Sequence, residues 1–142
     1  MRRLLIALLL CSCAIAQDQK PVEGPDLSRG ARPRGWFYLN GVGVERDIDQ
    51  AKKWYRKSAR RGQQKAMFSL GQIAYDERDF SDALNWFTRA SEAGHVRSLY
   101  WLGKLYWRGL GVEHDKKQAM RFFHRAASNK VAEAQRVLRF LR

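Results

Sequence analysis

The second half of this chain repeats the first. The segment GWFYLNGVGVERDIDQAKKWYRKSARRG, from Gly35, aligns with GKLYWRGLGVEHDKKQAMRFFHRAASNK, from Gly103. Gly35 meets Gly103, Tyr38 meets Tyr106, and Gly41 and Gly43 meet Gly109 and Gly111. Val44, Glu45 and Asp47 meet Val112, Glu113 and Asp115; Ala51 meets Ala119, and Trp54-Tyr55 meets Phe122-Phe123. The offset is 68 residues throughout. A further unit lies between, with Gly71, Ala83, Trp86-Phe87, Ala90 and Gly94 at corresponding places. It lacks the four-residue Gly-x-Gly insert, so the alanine step is 32 from Ala51 to Ala83 and 36 from Ala83 to Ala119. Self-similarity at such a period marks a stacked-repeat architecture.

Each unit reads as two helices. Leu102, Leu105 and Tyr106 recur at the spacing of an amphipathic helix, and Ala119, Phe122, Phe123 and Ala126 do the same on a second one. The alanines let paired helices approach closely, and the aromatics fill the space between pairs. Gly109-Leu110-Gly111 ends the first helix, because glycine readily takes the left-handed conformation needed there. Asp47 and Asp115 sit where an N-cap or first-turn acid belongs. Gly62 and Gly94 close the second helices.

One helix pair cannot bury its own apolar face, but stacked pairs can. The expected fold is therefore all-α: a right-handed α-solenoid of about three antiparallel helix pairs plus a C-terminal capping helix. The repeat domain spans residues 31–141, with units at about 31–62, 63–94 and 95–130 and the cap at 131–141. The cap aligns Ala134 with Ser98 and Leu138 with Leu102, and its arginines suit a solvent-facing end. Pro33 falls at the register of Trp101, inside a first helix. Proline is welcome only in the first turn, so the first helix is expected to begin near Pro33 and to be short.

The third unit carries Leu102, Gly103, Tyr106, Gly109, Gly111, Val112, Asp115, Ala119, Phe122, Phe123, Ala126 and Ala127. This pattern resembles the Sel-one-like repeat, a relative of the tetratricopeptide repeat. The first unit carries its second half, and the middle unit, with Leu70-Gly71, Phe80, Ala83, Phe87 and Ala90, looks more like a tetratricopeptide repeat. The resemblance covers about residues 31–141. It implies a superhelical scaffold or adaptor without shared catalytic residues, often exported in bacteria, and it leaves the partner open.

The N-terminus reads as a targeting segment. Met1-Arg2-Arg3 is a short positive region, Leu4 to Leu10 an apolar run, and Ala14-Ile15-Ala16 a small-residue cleavage site. Residues 1–16 are the expected cleaved signal peptide, and a periplasmic or secreted location follows. A second reading takes Leu10-Cys11-Ser12-Cys13 as a lipobox with Cys13 acylated, although Cys at the second position before it is unusual. Cys11 and Cys13 are the only cysteines, so no internal disulfide can brace the mature chain. Residues 17–30 are rich in Pro, Gly and charge and read as a flexible tether.

Net charge is +13, and loss of Arg2 and Arg3 leaves about +11. Such a surface either serves solubility or meets an anionic partner. Mean hydropathy is −0.54, so no large membrane domain is expected.

No catalytic constellation emerges. His95, His114 and His124 are dispersed and match no metal-ligand spacing. No serine opens the S-x-x-K that penicillin-binding chemistry needs. The Gly-x-Gly pairs lack a phosphate-loop context, and Asp76, Glu77 and Asp79 read as the turn that replaces the glycine insert. No cofactor, catalytic residue or metal ligand is expected.

In stacked helix pairs the first helices line the concave face. The exposed stripe of the third unit is Arg97, Trp101, Lys104 and Arg108; the middle unit offers Lys65, Ser69, Gln72 and Asp76 at equivalent places. Trp36 sits at the register of Lys104. A tryptophan beside arginine and lysine has the composition of a binding hot spot. Alternatively Trp101 packs against the short first unit or the tether. The candidate partner-binding set is Trp36, Lys65, Ser69, Gln72, Arg97, Trp101, Lys104 and Arg108. The expected function is an exported adaptor holding an acidic protein or peptide, one version being an immunity or regulatory protein for a secreted toxin. The alternative is an envelope module for anionic lipid, lipopolysaccharide or peptidoglycan. Export disfavours nucleic acid.

Overall fold

The computed structural model describes residues 33–141. The expected signal peptide (1–16) and tether (17–30) lie outside the described residues. Seven helices and no strand make up the described residues: α1 (Arg34–Asn40), α2 (Ile48–Arg60), α3 (Gln64–Asp76), α4 (Phe80–Glu92), α5 (Val96–Arg108), α6 (Lys116–Ser128) and α7 (Ala132–Phe140). They pair as α1/α2, α3/α4 and α5/α6, with α7 packed on α6. The architecture is an all-α solenoid with a capping helix, as the repeat predicts.

Local chemistry sets the helix ends. Asp47 Oδ1 accepts from the Gln50 N–H at 2.9 Å, Asp79 Oδ1 from the Asp82 N–H at 3.1 Å, and Asp115 Oδ1 from the Gln118 N–H at 3.0 Å. One acid thus caps each second helix. Pro33 precedes α1 in extended conformation, and α1 has 7 residues. Its ring would break a helix interior, so α1 starts after it.

The glycine insert docks on a neighbouring repeat. Gly111 has φ +68°, and a Cβ there would lie 2.4 Å from the backbone oxygen of Phe80 at the start of α4. Between α3 and α4, where the insert is missing, Glu77 ends α3 and Asp79 caps α4. Arg78 between them takes φ 63°.

The core is one motif used three times. Tyr55, Phe87 and Phe123, on α2, α4 and α6, are buried. Each lies over a glycine of its own unit: a Cβ on Gly71 would meet the Phe87 ring at 2.7 Å, and one on Gly103 would meet Phe123 at 2.6 Å. Ala51, Ala83 and Ala119 are fully buried one turn earlier on the same helices. Burying one such ring stabilises the fold by about 1.5–3 kcal/mol. The stack ends at α7, where Phe140 is 89% exposed and Leu141 is also open.

Candidate functional site: the face of the first helices

The first helices α3, α5 and α7 lie side by side, because second-helix rings from one unit receive a first-helix residue from the next. Three positions in one repeat register do this: Ser69, Trp101 and Val137. Ser69 hydrogen-bonds the hydroxyl of buried Tyr55, and burial pushes that phenol up while the bond offsets part of the rise. Trp101 stacks on Phe87 at 5.3 Å and 19°, with Tyr75 edge-on at 4.9 Å. At the third position Val137 faces the unit whose ring is Phe123.

The stripe expected on α5 is thus divided. Trp101 is half-buried in the joint between the second and third units, packed on Phe87 and Tyr75 of the middle unit; the tether lies outside the described residues. Lys104 stays with it: its Nζ lies 4.1 Å from the Trp101 ring centre and 4.8 Å from that of Tyr75. Arg108 is exposed one turn on. Arg97 is exposed but reaches α7, its Nη2 donating to Glu133 Oε1 at 2.7 Å.

On α3, Lys65 is exposed, while Ser69 and Gln72 are half-buried. Ser69 also donates to the Lys65 carbonyl at 3.0 Å. Trp36 is half-buried on α1, edge-on to Phe37 at 5.3 Å. Trp101 and Lys104 are brought together; Trp36 belongs to the far end of the row.

His95 precedes α5, with its ring 4.3 Å from Phe68 and Nδ1 3.0 Å from Ser98 Oγ. Burial holds its imidazole below the usual histidine range, and the Arg97 and Lys65 charges add to this. A neutral ring packed on phenylalanine is a joint between units. Among the described residues no group of His, Cys, Asp and Glu is arranged to hold a metal ion.

Two recesses differ in character. One of about 710 Å³ lies at the first glycine turn, where Glu45, Asp47 and Asp49 face Arg46. Its mixed charge favours no ion of either sign. The other, of about 470 Å³, lies between α5 and α7. Tyr100, Trp107, Phe123 and Phe140 line it, with Lys104, Arg108 and Arg136 among them and, among the described residues, no carboxylate. Sequence reasoning missed its α7 side. The signal was available: the 36-residue offset that pairs Leu138 with Leu102 also sets Val137 opposite Trp101.

Comparison with known proteins agrees with this geometry. The Sel1 repeat family model matches residues 34–63, 64–95 and 96–131. No curated protein matches the chain significantly. Among solved structures, a Sel1 repeat protein from Oxalobacter formigenes is similar at TM-score 0.67 and 30% identity, over 71% of this chain and 43% of that one. A protective antigen present in uropathogenic Escherichia coli strains, displaying an SLR fold, is similar at TM-score 0.66 and 32% identity, over 70% of this chain and 22% of that one. The chain spans less than half the length of either.

Proposed function

The chain belongs to the Sel1 repeat family, and from that premise we propose that it is an exported, non-enzymatic adaptor that holds an acidic protein or peptide against its first helices. Proteins built of stacked helix pairs generally act as interaction scaffolds, using the extended surface that stacking creates. The observation that carries the acidic partner is the run of cations on this face. Lys65, Lys104, Arg108 and Arg136 line it from α3 to α7, and Arg97 is held by one bridge to Glu133. The net charge, +13 for the full sequence and about +11 without Arg2 and Arg3, adds long-range attraction for an anionic partner. Export rests on the n-region, apolar run and cleavage site of residues 1–16. A partner that is a secreted toxin, with this chain as its immunity protein, is one form of the proposal.

The test is affinity capture of the mature protein with its native envelope fraction, followed by identification of what is retained. An acidic protein, lost when Arg97, Lys104 and Arg108 are reversed to glutamate, is the expected result. A complex whose contacts avoid α3, α5 and α7 would overturn the assignment. Binding to anionic liposomes that survives the triple Arg97/Lys104/Arg108 alanine variant would favour the envelope module. Mass spectrometry of the mature N-terminus tests export: a start at Gln17 supports signal cleavage, and an acylated Cys13 supports the anchored form.

A further inference from the structure

We propose that the recess between α5 and α7 is a socket for an aromatic side chain of an acidic peptide, and that the chain's own Trp101 shows how that side chain sits. This inference rests on the acidic-partner reading above and adds the anchor.

Between the second and third units, Phe87 forms the floor and Tyr75 an edge wall, and Phe68 flanks Phe87 at 5.7 Å. Trp101 fills the space between Phe87 and Tyr75. Between the third unit and the cap, the same registers hold Phe123, Trp107 and Tyr100. Tyr100 lies 6.0 Å from Phe123, matching the Phe68–Phe87 pair. Walls and floor are therefore kept. The filler is not: Val137 stands where Trp101 stands. Valine lacks an indole's reach, and the joint is left with a volume of about 470 Å³. That lies within the about 300–1,000 Å³ of small-ligand sites and is room for one aromatic side chain with its adjoining backbone.

The rim selects the rest of the ligand. Lys104, Arg108 and Arg136 surround the aromatic walls, and among the described residues no carboxylate lines the recess. Lys104 already lies over the Trp101 ring, so it stands at the border of both joints. A peptide with an aromatic residue flanked by Asp or Glu would meet rings below and cations at the edge. A second copy of this chain carries the same surplus of positive charge, which disfavours it as occupant.

The experiment uses the protein and two fluorescein-labelled peptides of equal charge, one rich in Asp and Glu around a central tryptophan and one with alanine there. Anisotropy is expected to show the tryptophan peptide binding at least tenfold tighter. Val137→Trp, which supplies the missing filler, is expected to abolish that preference while circular dichroism stays native. If Val137→Trp does not fold, Val137→Met fills part of the recess and is expected to reduce the preference severalfold. Equal binding of both peptides would overturn the socket and leave the acidic-partner reading standing. Binding of neither would overturn both. A preference that survives the filling variant, or filling-sensitive self-association or anionic-vesicle binding in place of peptide binding, would also overturn it.

Discussion

The indole of Trp101 lies stacked on Phe87, centroids 5.3 Å apart, and joins the third unit to the second. Tyr75 meets it edge-on and Lys104 covers its outer face. Truncation to alanine would strip both rings of their partner and open the joint. Fully buried tryptophans lose about 3–5 kcal/mol on such truncation. Trp101 is half-buried, so Trp101→Ala is expected to cost about 2–3 kcal/mol. Urea unfolding followed by far-ultraviolet circular dichroism reads it. A loss well under 1 kcal/mol would show that the indole is not part of the joint.

Gly71 and Gly103 are places where a single methyl group has nowhere to go. The ring carbons of Phe87 and Phe123 would stand 2.7 and 2.6 Å from it. Alanine is ordinarily the better helix former by about 1 kcal/mol, so intrinsic propensity favours the substitution. Overpacking of this kind costs about 1–3 kcal/mol, enough to cancel or exceed that gain. Gly71→Ala and Gly103→Ala are each expected to lower Tm by several degrees in calorimetry. Unchanged or raised Tm would mean the rings move aside freely.

These two cases show what the sequence could yield. Gly71 and Gly103 recur 32 residues apart, and Phe87 and Phe123 recur 36 apart across the glycine insert, so their partnership was legible as a repeat. Asp47 and Asp115 were legible as caps because the backbone geometry they serve is local. The division of Arg97, Trp101, Lys104 and Arg108 was not. Helical spacing puts the four on one face, and they do share it. Whether each points to solvent depends on the residue opposite in another unit, such as Phe87 for Trp101 and Glu133 for Arg97. The recess was hidden for the same reason, since Val137 is an ordinary helix residue until it is set against the register of Trp101.

The Arg97–Glu133 pair ties α5 to α7 across 2.7 Å, yet its side chains are 59% and 34% exposed. Exposed pairs couple by about 0.2–1 kcal/mol, because water screens them and ordering two long side chains opposes them. A double-mutant cycle with Arg97→Ala and Glu133→Ala is expected to give coupling in that range, shrinking as salt rises. Glu133→Gln removes the carboxylate that holds Arg97. It is therefore expected to tighten binding of an acidic peptide at low salt, severalfold by anisotropy. Weaker binding would show that the bridge presents the face correctly and does not compete for it.

His95 gives the protein a pH dependence of known sign. Its imidazole is half-buried against Phe68, with Arg97 on its own helix and Lys65 on α3 as nearby cations; desolvation first, and then these charges, hold its folded pKa below the ordinary histidine value. In the unfolded chain it titrates near about 6.5. The unfolded state therefore binds more protons in the window just below that value, and stability rises with pH across it. The contribution is present above about pH 6.5 and is lost as pH falls through the folded pKa. Carboxylates titrate lower, near about pH 4, so the two segments are separable. His95→Asn is expected to change stability at pH 8 by its own packing and capping effects, but to flatten the slope in the window just below about pH 6.5. Urea midpoints for both proteins across that window decide it. Parallel slopes would place the titrating group elsewhere.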